Sequence, residues 1–129
     1  MLVSMLRAKL HQARVTGADV DYVGSITIDS ALLEQVRMFP YERVLVADIE
    51  NGARFETYII PGAALSGVIQ LNGAAARLVE IGDRLIVMAF ALSSCPPPAG
   101  WAPRVLLLDE KNRVVKVVTE GVYPDAAGD

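Results

Sequence analysis

Short segments of alternating hydrophobic and polar residues, rich in β-branched side chains, make up most of the chain. Such alternation predicts strands, because successive side chains of a strand point to opposite faces. The predicted strands cover residues 2–16, 21–28, 42–49, 54–60, 67–71, 84–92, 104–108 and 114–119. Asn51-Gly52 lies between the third and fourth of these, and this dipeptide is typical of a tight β-hairpin.

One segment departs from the alternation. Apolar residues recur at helical spacing at Leu32, Leu33 and Val36, after Asp29 or Ser30, either of which can cap a helix. The pattern therefore predicts a helix over residues 29–38. Residues 72–76 predict a turn that leads into a short helical stretch.

Glycine, proline, asparagine and aspartate are concentrated in the segments between these elements. They predict turns at 16–19, 81–83 and 111–112 and a loop at 96–103. Many short strands separated by such turns favour a mainly β fold with short helices. We expect a small closed or nearly closed β-barrel.

Length and composition bound the interpretation. A chain of 129 residues fits one domain, 1–129. The hydrophobic share is 53% and the mean hydropathy is +0.37, yet no apolar run could span a bilayer. We therefore expect an oligomer that covers part of this surface, with no membrane partner. The start resembles no secretory signal, which favours the cytoplasm, and Glu120–Asp129 is expected to form a mobile tail.

Charge and cysteine content exclude several classes of function. The net charge is −3 and the 12 basic residues are scattered, which argues against nucleic acid as a partner but permits binding of a small anion. Cys95 is the single cysteine, so an internal disulfide is impossible. With one cysteine and one histidine the usual zinc spacings are absent, and we expect no structural metal. A carboxylate-based Mg²⁺ site stays open.

Several polar side chains share strand faces. Strand periodicity places Lys9 and His11 on one face together with Arg7, and it places Arg54 on the same face as Tyr58. A guanidinium and a phenol on one face could bind a carboxylated substrate. Each residue considered alone is explained equally well by a surface charge, a hydrogen-bonded histidine or a half-buried tyrosine.

Gly24-Ser25 is the candidate for unusual backbone chemistry. Gly24 has no Cβ, so the Ser25 hydroxyl can approach the Gly24 carbonyl in a geometry that most residues resist. Attack by that hydroxyl would move the acyl group from nitrogen to oxygen. The dipeptide by itself is more often an ordinary turn or bulge.

The ordered set of motifs resembles the bacterial aspartate 1-decarboxylases, a pyruvoyl-dependent family that makes β-alanine. The motifs that carry the resemblance are Lys9-x-His11, Tyr22-x-Gly24-Ser25, Arg54-x-x-Thr57-Tyr58 and Asn72-Gly73-Ala74-Ala75. The resemblance extends from the N-terminus to about Leu92. The resemblance implies a double-psi β-barrel and a homotetramer with active sites between neighbouring subunits.

The resemblance also implies that the precursor cuts itself between Gly24 and Ser25. An ester forms first, elimination then leaves dehydroalanine, and hydrolysis gives the pyruvoyl group with release of ammonia. Thr57 and Tyr22 match positions associated with this cut. Val23 stands where some members carry an acidic residue, so we expect a slower cut or one assisted by a helper protein.

In the mature enzyme, by the same resemblance, the pyruvoyl group forms a Schiff base with L-aspartate, and no metal or pyridoxal phosphate is needed. The β-alanine serves pantothenate and coenzyme A biosynthesis. Tyr58 is the implied proton donor. The residues that line the implied substrate pocket are Lys9, His11, Arg54, Thr57, Asn72, Gly73, Ala74 and Ala75.

The two carboxylates of aspartate call for different partners. A strong clamp on the departing carboxylate would stabilise the ground state and oppose loss of CO₂. We therefore expect Arg54 to hold the retained β-carboxylate, with the departing group near Lys9 and His11.

Three points stay open at the level of sequence. Strict alternation sends Thr57 and Tyr58 to opposite faces, so a site that uses both needs a bend, a bulge or a subunit boundary. A noncatalytic β-barrel interaction module would also explain the composition. A serine hydrolase is a further alternative, although no Gly-x-Ser-x-Gly motif surrounds Ser25.

Overall fold

A computed structural model describes residues 1–120 of the chain. Nine strands form one sheet within this part of the chain. They are β1 (Leu2–Arg14), β2 (Gly17–Asp19), β3 (Ser25–Asp29), β4 (Arg43–Asp48), β5 (Arg54–Gly62), β6 (Ile69–Asn72), β7 (Arg84–Ser94), β8 (Arg104–Leu108) and β9 (Val114–Val118). Helix α1 (Ser30–Val36) and a 3-10 helix (Gly73–Leu78) complete the fold. The mainly β class is confirmed, whereas the predicted mobile tail lies outside the described residues except for Glu120.

The sheet curves into a barrel because one stretch of chain joins its two sides. The strand order is β2-β6-β3-β5-β4-β7-β1-β8-β9, and β2 follows β1 directly in the chain. Between them, the Thr16 amide donates to the Ile69 carbonyl (2.8 Å), and the Ile69 amide donates to Thr16 Oγ1 (2.9 Å). The stretch therefore pairs with β7 and β8 through β1 and with β6 through β2. The predicted small β-barrel is confirmed, and this order is compatible with the double-psi arrangement.

Apolar residues at alternate positions of the strands point inward and form the core. Inward side chains such as Leu10 of β1, Ile26 of β3 and Ile59 of β5 are fully buried. Helix α1 buries Leu32 and its apolar neighbours against this core. Burial of these side chains supplies the main free energy of folding. In the part of the chain that the structure describes, no helix is long and apolar enough to cross a membrane.

The predicted β-hairpin is confirmed. Strands β4 and β5 pair antiparallel from Arg43 opposite Tyr58 to Ala47 opposite Arg54, without a shift of register. Gly52 has φ +78°, the left-handed conformation that a tight turn requires and that glycine adopts without strain. The Pro96–Pro103 loop and the turn at Lys111-Asn112 are also found.

Two boundaries differ from the sequence predictions by more than two residues. The turn predicted at 16–19 is wrong over Gly17–Asp19, which forms β2 because it pairs in parallel with β6. The chain turns over residues 20–24 instead, so the strand predicted from Asp21 begins at Ser25. Pairing with a distant strand has overridden the local turn signal.

Strand β1 is less regular than its sequence indicates. Its register against β7 shifts between Leu6 and Ala8, and again between His11 and Ala13. Arg7 lies at the first shift, where its guanidinium pairs with Glu42 and donates to the Arg37 carbonyl (2.7 Å). Simple alternation therefore places Lys9 with His11 but does not extend to Arg7.

Asp29 joins three elements near the start of α1. Its Oδ1 accepts from the amides of Ala31 (2.8 Å) and Leu65 (3.0 Å), and its Oδ2 accepts from the Gly67 amide (2.8 Å). Of the two capping residues considered, Asp29 is the one that caps the helix. Because it also holds the 63–67 loop, Asp29 helps to fix where β6 begins.

We predict that Asp29→Ala lowers the free energy of unfolding by about 2–4 kcal/mol, because it removes the cap and leaves buried amides without acceptors. Thermal unfolding followed by circular dichroism measures the change. Ser30→Ala is the matched control, and we expect little effect because Ser30 is not the cap. Equal losses in the two variants would contradict the assignment.

Candidate active site

Ser25 is buried at the first position of β3, with 1% of its surface exposed. Its hydroxyl donates to the Val23 carbonyl (3.1 Å) and accepts from Asn72 Nδ2 (2.9 Å). A bond to the carbonyl two residues earlier folds the side chain back over Gly24. The nucleophile suggested by the sequence is therefore held beside the peptide bond that it would attack.

Asn72 lies directly opposite Ser25 in the β3–β6 pair and is fully buried. Besides Ser25, Asn72 Nδ2 donates to Thr27 Oγ1 (3.0 Å), and Asn72 Oδ1 accepts from Gln70 Nε2 (2.8 Å). Sequence analysis missed Thr27 and Gln70. Each lies two residues from a predicted site residue on the same strand face, a relation that shows only once β3 is known to pair with β6.

Gly73 packs its backbone against the segment that precedes Ser25. A Cβ at this position would lie 2.6 Å from Gly24 Cα and 3.2 Å from the Tyr22 carbonyl oxygen. Gly73 also has φ +72°. Both observations require glycine here. Of the pocket residues implied next to it, Ala74 is exposed and Ala75 is half-buried.

Tyr58 is brought close to Ser25 by the parallel pairing of β3 with β5. Ile26 lies opposite Ile59, so Tyr58 and Ser25 occupy the preceding positions of the two strands. The Tyr58 ring stacks on Tyr41 at a centroid distance of 6.4 Å and an interplanar angle of 26°. Tyr41 was not among the predicted site residues.

Thr57 faces away from Tyr58. It pairs with buried Val44 on the interior face of the barrel, and the register between β4 and β5 is continuous. A bulge in this pairing is thus excluded as a way to bring Thr57 and Tyr58 to one face. Tyr22 and Val23 lie exposed in the segment before Ser25.

The predicted basic residues lie on the outer face, away from Ser25. Cross-strand pairing aligns Arg54, Ala47, Ile86 and His11 in one row over β5, β4, β7 and β1. Three steps of about 4.8 Å put His11 about 14 Å from Arg54 along this row. Strand β3 is the next neighbour of β5, so β1 is four strands away from β3 along the sheet. Lys9 and His11 therefore lie on a strand that does not pair with the strand of Ser25.

The surroundings of His11 disfavour its charged form. Burial, the Lys9 ammonium and the Arg84 guanidinium lower the pKa of His11 below its ordinary value. Burial also lowers the pKa of Lys9. His11 Nδ1 is buried and has no hydrogen-bond partner within residues 1–120. His11 is therefore held neutral at pH 7.

Comparison with known proteins gives the family. A family model described as aspartate decarboxylase matches residues 1–115. The chain belongs to the aspartate decarboxylase family. The match extends beyond Leu92, where the resemblance of the motifs ended, and it favours a decarboxylase over the interaction module and the serine hydrolase.

Curated aspartate 1-decarboxylases are similar to this chain along most of their length. The protein of Carboxydothermus hydrogenoformans is 48% identical over 123 residues, which cover 95% of this chain and 97% of the relative. That of Thermosipho africanus is 52% identical over 118 residues, covering 92% and 97%. That of Listeria monocytogenes serotype 4a is 49% identical over 120 residues, covering 93% and 94%.

We predict that the single histidine titrates below pH 6.5, the ordinary pKa of histidine. Lys9→Met should raise this pKa by removing a nearby positive charge, while leaving it below 6.5 because burial remains. The titration of the ring carbon resonances in NMR spectra measures both values. Lys111→Met removes a lysine from the exposed β8–β9 turn and should leave the pKa unchanged; an equal shift in this control would contradict the assignment to Lys9.

Proposed function

We propose that the chain decarboxylates L-aspartate to β-alanine and CO₂ through a pyruvoyl group made from Ser25. The observation that carries the proposal is the buried Ser25 hydroxyl, folded over Gly24 and held by Asn72. Membership of the aspartate decarboxylase family supports the reaction. The β-alanine is proposed to serve pantothenate and coenzyme A biosynthesis in the cytoplasm, without metal or pyridoxal phosphate.

The first step of maturation is an acyl shift within the chain. A bond forms between Ser25 Oγ and the Gly24 carbonyl carbon, the bond from that carbon to the Ser25 nitrogen breaks, and the hydroxyl proton passes to this nitrogen. Negative charge develops on the Gly24 carbonyl oxygen in this step. It develops on Oγ in the next step, where Oγ leaves with the Gly24 carboxylate and the Asn72 N–H that faces it stabilises the charge. We retain Thr57 and Tyr22 as helpers of the cut, with Thr57 binding the Gly24 carbonyl.

Loss of the Ser25 Cα proton then releases Gly24 as a carboxylate and leaves dehydroalanine. Addition of one water gives the pyruvoyl group and one ammonia. The surroundings of Ser25 fit this product, because Ser25 starts β3 and the pairs from Ile26 with Leu71 onward do not involve the broken bond. Since Gly24 is not part of a strand, the cut breaks no strand.

The pyruvoyl ketone supplies the electron sink that decarboxylation needs. The residues of the chain bind and orient the substrate around it. Tyr58, one strand from Ser25, carries a phenol that can donate a proton to the substrate carbon. Asn72 and the Gly73-Ala74-Ala75 backbone line the pocket, and burial of the Ser25 position limits access of water.

We further propose a homotetramer whose active sites lie between neighbouring subunits. Lys9 and His11 lie on the outer face of β1, which is four strands away from β3 and Ser25 along the sheet of one chain. A second copy can bring its outer face over Ser25. Exposed apolar residues on β7 and β1, among them Leu2 and Leu92, support the covering of this surface by another subunit.

The charged residues of this outer face suggest which of them binds each of the two substrate carboxylates. Arg54 is proposed to hold the retained β-carboxylate with its guanidinium. Lys9 and His11 lie near the departing carboxylate. A neutral His11 limits the positive charge at that end, which avoids stabilising the ground state of the group that must leave.

We predict that the purified protein contains two fragments, residues 1–24 and 25–129, the larger lighter by one ammonia than a serine-initiated chain. Intact mass spectrometry measures both, and a hydrazine reagent should label only the larger. Ser25→Ala, the control, should stay uncut and release no β-alanine. An uncut wild-type chain after prolonged warming, without a reactive carbonyl, would refute the proposal.

We predict that Arg54→Lys lowers kcat/KM for aspartate about ten- to hundredfold, because lysine keeps the charge but loses the two-pronged bond to a carboxylate. Steady-state kinetics measure the change. Arg113→Lys makes the same replacement at an exposed position on the β8–β9 turn and should leave the kinetics unchanged. Unchanged kcat and KM in Arg54→Lys would show that this residue does not bind the substrate.

A further inference from the structure

Gln70 and Thr27 both form hydrogen bonds with the amide of Asn72. Gln70 Nε2 donates to Asn72 Oδ1 (2.8 Å), and Thr27 Oγ1 accepts from Asn72 Nδ2 (3.0 Å). Both residues are half-buried and share a strand face with the Ser25–Asn72 pair. No step of the proposed reaction uses them directly.

The contact with Gln70 determines which way the Asn72 amide faces. An asparagine amide has one acceptor oxygen and one NH₂ group, and the donor from Gln70 occupies the oxygen. The two N–H groups are then directed to Ser25 and Thr27. If the Asn72 amide turned over, its NH₂ group would face the NH₂ group of Gln70 and its oxygen would face Ser25.

This orientation matters for the cut at Gly24. The Ser25 hydroxyl donates its proton to the Val23 carbonyl, so its oxygen needs a donor, and Asn72 supplies one. When the ester breaks between Cβ and Oγ, Oγ leaves as part of the Gly24 carboxylate; an N–H facing it stabilises this negative charge, whereas a carbonyl oxygen would repel it. We propose that Gln70 is a positioning residue for self-cleavage, which acts by holding the Asn72 amide in the donating orientation. This inference rests on the proposed function.

Strand β2 makes room for Gln70. Gly17 pairs with Gln70, and a Cβ at Gly17 would lie 2.8 Å from Gln70 Oε1. The Gln70 side chain therefore lies over the bare backbone of Gly17. This gives the glycine in β2, the strand that the sequence predicted as a turn, a role in the site.

The test is Gln70→Glu, which keeps the shape of the side chain but reverses its hydrogen bonding. A carboxylate only accepts, so the Asn72 NH₂ must turn towards it and away from Ser25. We expect the cut at neutral pH to slow by about tenfold or more, since neutral hydrogen bonds typically change rates by a few-fold to tenfold. The protein is made by cell-free translation, transferred to buffers between pH 4.5 and 8, and followed by intact mass.

The pH dependence separates positioning from structural support. When the introduced carboxyl is protonated it donates again to Asn72 Oδ1, so the rate relative to wild type should return towards one at low pH. Gln70→Met should slow the cut about threefold to tenfold at every pH, because it can neither donate nor accept. Asp19 of β2 and Asp29 of β3 are the neighbouring carboxyl groups and are present in all of these proteins, so comparison with wild type at each pH removes their contribution.

Gln35→Glu makes the same chemical change on the exposed surface of α1 and should cut at the wild-type rate. Thermal unfolding in a Ser25→Ala background shows whether each Gln70 variant is folded. Equal rates for wild type and Gln70→Glu at every pH would overturn the inference. A slow cut without recovery at low pH would also overturn it, since it would indicate support of the fold alone. An uncut wild type would instead refute the proposed function.

Discussion

The pairing of β3 with β6 is the constraint on which the candidate site depends. It sets Ser25 directly opposite Asn72, and because β6 continues into the 3-10 helix, the same register presses Gly73 against Gly24. A shift of one residue would turn Asn72 to the other face and remove its contact with Ser25. Asp29 and Thr16 hold the two strands near this register, since each bonds to the chain next to β6 or at its start. The chemistry therefore depends on contacts outside the reacting residues.

Two groups of residues with roles in the proposed reaction lie on different parts of the barrel. Ser25, Asn72 and Tyr58 cluster where β6, β3 and β5 adjoin, whereas Lys9 and His11 lie on the outer face of β1. The Ser25–Asn72 pair is buried, whereas Lys9 and His11 lie on the outer face of the barrel. A site between subunits would bring the two groups of residues together and would also exclude water from the substrate. The high apolar content of the chain would then serve the proposed reaction, because apolar surface is what such an interface buries.

Local signals were sufficient for some parts of the fold. Asn51-Gly52 predicted the β4–β5 hairpin, and Asp29 with three apolar residues predicted α1, because the information lies within a few neighbouring residues. Strand β2 was missed because its three residues become a strand only by pairing with β6. Gln70 and Thr27 were missed for the same reason. The family motifs pointed to Asn72, but only the register shows which residues orient its amide.

The position of β1 has a consequence for the mature protein. A cut after Gly24 leaves β1 and β2 on a short separate chain, yet β1 lies between β7 and β8 and β2 lies on β6. The severed piece is thus an interior strand of the barrel, held by backbone hydrogen bonds and by buried side chains such as Leu10. Maturation would turn each barrel from one continuous chain into a complex of two peptides. Recovery of a single barrel after denaturation would then need the association of these two peptides, a step that the uncut precursor does not need.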